Sequence, residues 1–432
     1  MKIAKTMDSD FEALFRRITG RGRVFDEDLW RVVKEIVDDV ARRGDAALFE
    51  CTERLDGYVL TAETVAVSEN ELEKAAARVE ASDLAILRQA AQRIESFHRH
   101  QIAESWTVSE KPGATLGQRI LPLERVGIYA PGGLASYPST VLMAAIPAKI
   151  AGVQEILLVN PSKGGQVQPL IAAAAKLCGI DRIFKIGGAQ AVAALAYGTE
   201  TIPRVDKIVG PGNAYVAAAK KMVFGQVSID MIAGPSEILI IADGSAQPDL
   251  IAADLLSQAE HDEMASAILL TPDEALARAV SAEVERQLKR LPRRVIAERS
   301  LEAFGAILVT EDLEQAVAVA NRFAPEHLEL MVADPWTLLE GIRHAGAVFL
   351  GHYTPEALGD YIAGPNHVLP TGGTARFSSA LGVYDFVKRI SVLSFSREAL
   401  EEVGPQAARF AHLEGLDAHG NSISLRLTGK NP

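Results

Sequence analysis

A short apolar run passes into a glycine-rich turn at Val126-Gly127-Ile128-Tyr129-Ala130-Pro131-Gly132-Gly133. From this point short apolar runs alternate with helical segments, which is typical of parallel βα units. The predicted strands are residues 126–129, 155–160, 182–186 and 207–209, with predicted helices at 139–151, 167–177, 189–197 and 214–224. The stretch therefore predicts an α/β fold built on a parallel sheet.

The same rhythm starts again near residue 237. The predicted strands of this second part are residues 237–241, 267–270, 306–309, 328–332 and 347–350, and its predicted helices include 275–291, 313–323 and 335–344. One strand end is similar in the two parts, Ile156-Leu157-Leu158-Val159-Asn160-Pro161 against Ile268-Leu269-Leu270-Thr271-Pro272. An internal duplication explains this similarity, and so does shared strand patterning alone.

At 432 residues the chain exceeds the size at which single cores stop growing, so more than one globular unit is expected. The predicted domains are a helical N-terminal region at 1–123 that packs with the second α/β unit, two Rossmann-like parallel-sheet units at 124–236 and 237–380, and a C-terminal tail at 381–432. The end of the tail is too short for a core of its own. It must pack on its own body or on a second subunit.

Three glycine-rich turns follow the first, third and fourth predicted strands. They are Ala130-Pro131-Gly132-Gly133, Gly187-Gly188-Ala189-Gln190 and Gly210-Pro211-Gly212-Asn213. Such turns let backbone N–H groups approach phosphate at the carboxyl edge of a sheet. None is a complete G-x-G-x-x-G, because Tyr215 stands where the third glycine would be, and tight turns in any doubly wound sheet also use glycine. A nucleotide site and a plain turn both remain open.

Composition limits the class of partner. Formal net charge is −12 and no Lys/Arg run exceeds a few residues, so nothing marks a nucleic-acid or membrane-surface footprint, and a small-molecule partner is expected. Cys51 and Cys178 form no CxxC pair, which fits a reducing compartment and excludes a thiolate-rich zinc site. The first residues lead into acidic Asp8-Ser9-Asp10, and apolar runs are too short to span a bilayer. A soluble cytoplasmic protein is expected.

Two metal-ligand types stand together at the end of a predicted amphipathic helix. Gln258 and His261 are three residues apart and share a face, and Glu260 and Asp262 add negative charge nearby. The alternative is a helix end decorated with polar groups, since a metal site needs ligands from elsewhere. Asp360 and His419 could complete an oxygen and nitrogen ligand set, but such long separations follow no spacing rule.

Pro325-Glu326-His327 places a carboxylate and an imidazole at the entry to a strand, where we expect α/β sheets to mount catalytic groups. Spacing alone favours the alternative, a hydrogen-bonded histidine and a surface glutamate at a strand edge. A loop-rich stretch at 360–373 is long enough to be functional. Of the other histidines, His98 and His100 are predicted to be solvated on a charged helix, His344 and His352 are predicted to be structural, and His367 is ambiguous.

Eight motifs, in order over essentially the whole chain, resemble the signatures of the histidinol dehydrogenase family. Besides the stretch from Val126 to Gly133 they are Gly187-Gly188-Ala189-Gln190-Ala191, Gly210-Pro211-Gly212-Asn213, Ala233-Gly234-Pro235-Ser236-Glu237, Gln258-Ala259-Glu260-His261-Asp262, Ala324-Pro325-Glu326-His327-Leu328, Gly364-Pro365-Asn366-His367-Val368-Leu369-Pro370-Thr371 and Glu414-Gly415-Leu416-Asp417-Ala418-His419. Departures are small. Ala130 stands where a valine is common, and Glu263-Met264 follows where a proline is often found.

The resemblance implies a zinc-dependent, NAD-linked enzyme that oxidises L-histidinol through L-histidinal to L-histidine with two NAD in histidine biosynthesis. It implies one zinc per subunit, held by Gln258, His261, Asp360 and His419, with Glu326 and His327 as the acid/base pair. It places substrate contacts at Ser236, His327, Glu414 and the four zinc ligands, and NAD contacts at Tyr129, Gln190 and Asn213. It also implies a homodimer whose C-terminal tail crosses to the partner's site.

Three rival functions remain. A paralogue on the same fold could act on another alcohol, such as a sulfopropanediol, although Glu414 would repel a sulfonate. A zinc hydrolase could use Glu326 to activate water, and would show no NAD dependence. A non-enzymatic binding protein is the third, and the ordered motif set speaks against it.

Overall fold

The computed structural model describes residues 1–21, 27–132 and 137–429, so Gly133 of the first glycine-rich turn lies outside the described residues. The strands are β1 (Lys2–Lys5), β2 (Trp106–Glu110), β3 (Ala114–Pro122), β4 (Arg125–Tyr129), β5 (Glu155–Val159), β6 (Arg182–Phe184), β7 (Lys207–Val209), β8 (Ser228–Ile229), β9 (Glu237–Ala242), β10 (Ser266–Thr271), β11 (Ala306–Val309), β12 (His327–Met331), β13 (Ala347–Leu350) and β14 (Val387–Phe395).

The α-helices are α1 (Phe11–Thr19), α2 (Glu27–Arg43), α3 (Asp45–Asp56), α4 (Glu69–Ala76), α5 (Ala81–His98), α6 (Pro138–Ala151), α7 (Pro169–Cys178), α8 (Gly188–Tyr197), α9 (Ala214–Val223), α10 (Pro248–Ala259), α11 (Glu274–Leu288), α12 (Arg294–Phe304), α13 (Leu313–Phe323), α14 (Pro335–Leu339), α15 (Glu356–Tyr361), α16 (Arg397–Leu413) and α17 (Asp417–Thr428). Short 3₁₀ turns lie at Arg99–Gln101, Lys163–Gly165, Thr374–Arg376 and Val383–Phe386.

The chain forms two compact units. The main unit contains Met1–Gln101 and Leu123–Phe386, and the small unit contains Ile102–Pro122 and the residues from Val387 onward. Two parallel sheets lie in the main unit, in the orders β6-β5-β4-β7-β8 and β1-β11-β10-β9-β12-β13. Counted from β4 and from β9, both sheets follow the order 3-2-1-4-5, with β1 added beside β11 in the second. The predicted pair of Rossmann-like units is confirmed, and the shared strand order agrees with the duplication hypothesis.

Most predicted elements match within a residue or two. The strands at 207–209, 306–309 and 347–350 and the helix at 313–323 have the predicted bounds. The helix predicted at 335–344 ends early, at Leu339. The residues after Leu339 make hydrogen bonds with a side chain instead of continuing the helix. The Asn321 side chain accepts the Arg343 N–H at 2.8 Å and donates to the Gly341 carbonyl at 2.9 Å.

The N-terminal region divides between the two parallel sheets. Strand β1 pairs with β11, and α1 buries Phe11, Leu14 and Ile18 against the second sheet. Helices α2 and α3 pack on the first sheet, and so do α4 and α5. The predicted packing of the whole region with the second unit is therefore wrong for α2–α5. The solvation predicted for His98 is wrong as well, because its ring is fully buried and its Nδ1 lies 2.8 Å from the Ile94 carbonyl oxygen.

The small unit combines a segment from the middle of the chain with its C-terminal end. Strands β14, β3 and β2 form an antiparallel sheet, in which Val387 pairs with Pro122 and Phe395 with Ala114. Helices α16 and α17 pack against each other. The predicted domain boundaries remain predictions, but the end of the chain has a sheet of its own to pack with.

Two further observations concern the described ranges. None of their helices is both long and apolar enough to cross a bilayer. The thiols of Cys51 and Cys178 are both free of disulfides.

Candidate active site

The residues with catalytic chemistry lie at the amino-terminal edge of the second sheet. β9 begins at Glu237 and β12 at His327, and the two strands run parallel in direct register. Ala324, with φ of 52°, closes α13 in the left-handed region and turns the chain into this edge. Ligands of α/β sheets usually bind at the carboxyl edge. The expectation that Glu326 and His327 lie where such sheets commonly carry catalytic groups is therefore wrong, because these residues lie at the opposite edge.

His327 presents one free ring nitrogen to the site. Its Nδ1 lies 2.9 Å from the Glu237 backbone carbonyl oxygen, which can only accept, so Nδ1 carries the proton. The buried Nε2 lacks a hydrogen-bond partner and lies 3.8 Å from Glu356 Oε1 and 3.9 Å from Asp360 Oδ1. Burial lowers the pKa of His327, so the ring is neutral and Nε2 can accept a proton.

Glu326 is held beside this histidine. Its Oε2 accepts the Glu237 backbone N–H at 2.9 Å, and its own N–H donates to Glu237 Oε2 at 3.3 Å. Burial, and then the neighbouring Glu237 carboxylate, raise the pKa of Glu326 well above its usual range. A buried carboxyl with a raised pKa binds a proton more readily than a surface carboxylate, which suits a group that exchanges protons with a substrate.

The carboxyl groups of Glu356 and Asp360 face the free nitrogen of His327, and those of Glu329 and Asp254 lie near Glu356. Asp360 and Glu356 lie one turn apart on α15, and the Glu356 N–H donates to Glu329 Oε1 at 2.7 Å. Burial raises the pKa of Glu356 and of Asp360 to about 7, and that of Asp254 on α10 to about 6. Asp360 and Glu356 pair with imidazoles rather than with Lys or Arg in the described part of the chain. Such a group favours a bound cation, which would offset the cost of burying several negative charges.

Gln258 adds a buried amide to the groups that could hold that cation. Its side chain is fully buried, and neither its amide oxygen nor its amide nitrogen has a hydrogen-bond partner. An unsatisfied buried amide is costly, so its oxygen fits a missing metal ligand. One residue before it, Ser257 Oγ lies 3.5 Å from Glu356 Oε2, which brings the end of α10 to α15. His261 follows α10 with an exposed side chain.

The remaining predicted site residues lie in different places. Ser236 is half-buried immediately before Glu237, whose backbone contacts both Glu326 and His327. Glu414 follows α16 and His419 lies in α17, so both belong to the small unit, and both are exposed. Within the main unit the structure thus gathers Glu326, His327 and Asp360 directly.

A cavity of about 1600 Å³ lies at the glycine-rich turns of the first sheet. Tyr129, Gln190 and Asn213 all line it. The Tyr129 hydroxyl accepts the Gly188 N–H at 3.1 Å, the buried Gln190 Oε1 lacks a partner, and Asn213 caps α9. Gly210 has φ of +109°, and a Cβ there would lie 2.2 Å from the Tyr129 carbonyl oxygen. The turn therefore requires glycine and leaves an open cleft at the carboxyl edge.

Comparison with known proteins identifies the chain's relatives. A family model described as "Histidinol dehydrogenase" matches residues 20–427. The chain belongs to the histidinol dehydrogenase family. A histidinol dehydrogenase of Syntrophotalea carbinolica is 60% identical over 99% of both chains, and one of Geobacter metallireducens is 56% identical over 100% of this chain and 99% of its own. A crystal structure of histidinol dehydrogenase from Elizabethkingia anophelis is 39% identical, with a TM-score of 0.93 over 99% of this chain and 98% of that one.

Several residues of the candidate site in this histidinol dehydrogenase family member were not predicted from its sequence. Three of its side chains form a candidate metal cluster, His327, Glu356 and Asp360, and Glu356 was not among the predicted ligands. The i, i+4 spacing of Asp254 with Gln258 and of Glu356 with Asp360 was a usable signal, because each pair shares a helix face. Glu237 and Arg21 carried no such signal.

Proposed function

We propose that this chain is a zinc-dependent, NAD-linked histidinol dehydrogenase that oxidises L-histidinol through L-histidinal to L-histidine, consuming two NAD, in histidine biosynthesis. The observation that carries the proposal is the pair of unpartnered buried groups, the Gln258 amide and His327 Nε2, beside a cluster of carboxylates. The family membership supplies the substrate.

Zinc would be held by Gln258, His261 and Asp360, together with His419 of the partner subunit. The mixture of amide oxygen, carboxylate and imidazole suits zinc, and Mn²⁺ or Co²⁺ would suit the same donors. When bound, the metal supplies a Lewis acid for the imidazole and amine nitrogens of histidinol and so orients the substrate. NAD would lie in the cleft lined by Tyr129, Gln190 and Asn213.

His327 would serve the first oxidation. Its Nε2 takes the proton of the substrate hydroxyl while a hydride leaves the adjoining carbon for NAD, which yields L-histidinal. The hydrogen bond from Nδ1 to the Glu237 carbonyl keeps the ring in the tautomer that makes Nε2 the base. Ser236 and Glu414 would contact the substrate, with the Glu414 carboxylate suited to its cationic amine.

Glu326 would serve the second oxidation. As a carboxylate it takes a proton from water, whose oxygen attacks the aldehyde carbon, while His327 returns the proton it took in the first step to the aldehyde oxygen, which gives the neutral hydrate. A second hydride then passes to a second NAD as His327 takes one hydroxyl proton of the hydrate, and the resulting carboxylic acid loses its proton to solvent, which leaves L-histidine as the carboxylate. Holding the aldehyde in the site between the two steps prevents its escape.

A homodimer with shared sites is part of the proposal, because Glu414 and His419 belong to the small unit and the other site residues belong to the main unit. Co-expressing a Glu326→Gln chain with a His419→Ala chain is expected to restore activity. In each mixed dimer, the site of the His419→Ala chain keeps its own Glu326 and receives an intact His419 from the Glu326→Gln chain, so one of the two sites is complete. Steady-state turnover should reach about a quarter of the wild-type rate if dimers form at random.

The matched control is co-expression of Glu326→Gln with His327→Ala. Both changes lie in the same main-unit site, so every mixed dimer lacks an intact site and stays inactive. Activity of the first mixture no higher than that of this control would show that the tail serves its own subunit.

Substrate assays separate the rivals. We expect NADH from L-histidinol, loss of activity after chelation, and recovery with zinc. A higher kcat/KM for 2,3-dihydroxypropane-1-sulfonate would assign the paralogous activity instead, and NAD-independent hydrolysis would assign the zinc hydrolase. A cytoplasmic location and the absence of nucleic-acid or membrane partners stay predictions.

A further inference from the structure

Arg21 is a buried cation directly after α1. Only 7% of the residue is exposed, and its Nη2 lies 3.0 Å from Glu237 Oε1, in an ion pair whose side chains are both 2% exposed. The guanidinium is locked in place, since Nε donates to the Met264 carbonyl at 2.9 Å and Nη1 to the Ile18 carbonyl at 3.2 Å. A planar fork with several fixed donors holds a carboxylate in one orientation.

Glu237, the partner of Arg21, touches both catalytic residues. Its backbone N–H donates to Glu326, its backbone carbonyl fixes His327, and its Oε2 accepts the Glu326 N–H. Its Oε1 also accepts the Gly372 N–H at 2.8 Å. The position of the Glu237 carboxylate therefore sets the geometry at the start of β12.

Glu326 is surrounded by acidic side chains, and Arg21 is a nearby cation that can offset their charge. Glu237 on β9 and Glu356 and Asp360 on α15 are acidic neighbours of Glu326, and His327 is the adjacent neutral base. Two adjacent buried carboxylates resist being ionised together, and a fixed cation paired with one of them lowers that penalty. Arg21 lies close enough to feel the charge of Glu326 as well as that of Glu237.

We propose that Arg21 is a positioning residue for the second oxidation: by pairing with Glu237 it keeps Glu326 available as the carboxylate base that activates water. This role rests on the proposed function and deepens it. Arg21 acts through Glu237, with which it forms a buried ion pair.

The test is the pH profile of L-histidinal oxidation. In Arg21→Gln the acidic limb should move to higher pH by about one unit, because Glu326 then ionises beside an unneutralised Glu237. In Glu237→Gln the limb should move the other way, since a negative neighbour is lost while the cation stays. The double variant Arg21→Gln/Glu237→Gln should return the limb towards that of the wild type, which a merely structural role of Arg21 would not produce.

The control is Arg16→Gln, an exposed arginine on α1, which should leave the profile unchanged. Should Arg21→Gln fail to fold, Glu237→Gln and the double variant still decide the question. Wild-type protein that oxidises neither L-histidinol nor L-histidinal would overturn the proposed function, and the Arg21 role would fall with it. Active wild type with limbs that coincide in all variants would overturn the Arg21 role alone.

Discussion

Glu326→Gln is expected to stop the reaction at the aldehyde. Glutamine keeps the volume of the side chain and an oxygen that can accept the Glu237 N–H, but it cannot take a proton from water. The second oxidation should fall by about 10²–10⁴-fold, the usual contribution of a general base. The first oxidation depends on His327 and should survive far better. In a single turnover with excess NAD, the variant should release one NADH per active site and leave L-histidinal in the site.

Aldehyde trapping identifies the stalled intermediate. Semicarbazide should capture histidinal from the quenched variant reaction, whereas the wild-type reaction should contain histidine. Glu314→Gln, an exposed glutamate on α13, is the control and should behave as wild type. Complete conversion to histidine by Glu326→Gln would remove Glu326 from the role of water-activating base.

Gln258→Ala is expected to release the metal. The amide of Gln258 is fully buried without a partner, so the proposed metal bond accounts for its position. Loss of groups that only orient a metal ligand costs about 10–100-fold in affinity, so loss of the ligand itself should cost at least about 100-fold. Zinc content after dialysis against a competing chelator measures this directly, without any assay of turnover.

Asp262→Asn is the matched control for the metal experiment. Asp262 lies next to His261, is exposed, and its Oδ1 accepts the Met264 N–H, which asparagine can still do. Its zinc content should match that of the wild type. Zinc retained by Gln258→Ala at the wild-type level would exclude Gln258 as a ligand and would favour the His327, Glu356 and Asp360 cluster as the metal site.

The parallel sheets were predictable because their strands are short, almost wholly buried apolar runs between helices. β9 (Glu237–Ala242) and β10 (Ser266–Thr271) are buried at every residue. Their short, nearly continuous apolar sequences differ from the mixed apolar and polar pattern of the helices on either side. The antiparallel sheet of the small unit was not predictable in the same way. Every residue of β2 is exposed, and β3 pairs with a strand more than 260 residues later, so no local apolar alternation marks it.

The expectation that Gln258 and His261 share a helix face is wrong, because α10 ends at Ala259 and His261 lies in the turn beyond it. The site was predictable where its residues are neighbours in the sequence, as Glu326 and His327 are. It was not predictable where a group works through the backbone of another strand. Glu237 reads as the first residue of a strand, and only the register of β9 against β12 places its carbonyl beside His327. The solvation predicted for His98 was wrong because α5 carries charged residues on most of its faces. His98 lies on the one buried face of this helix, together with Ala90 and Ile94.

The central claim is a four-electron oxidation completed in one site, and the ratio of products tests it most directly. Zinc-loaded protein given limiting L-histidinol and excess NAD should form two NADH and one L-histidine for each histidinol consumed. One NADH with free histidinal would contradict the account, and so would no NADH at all.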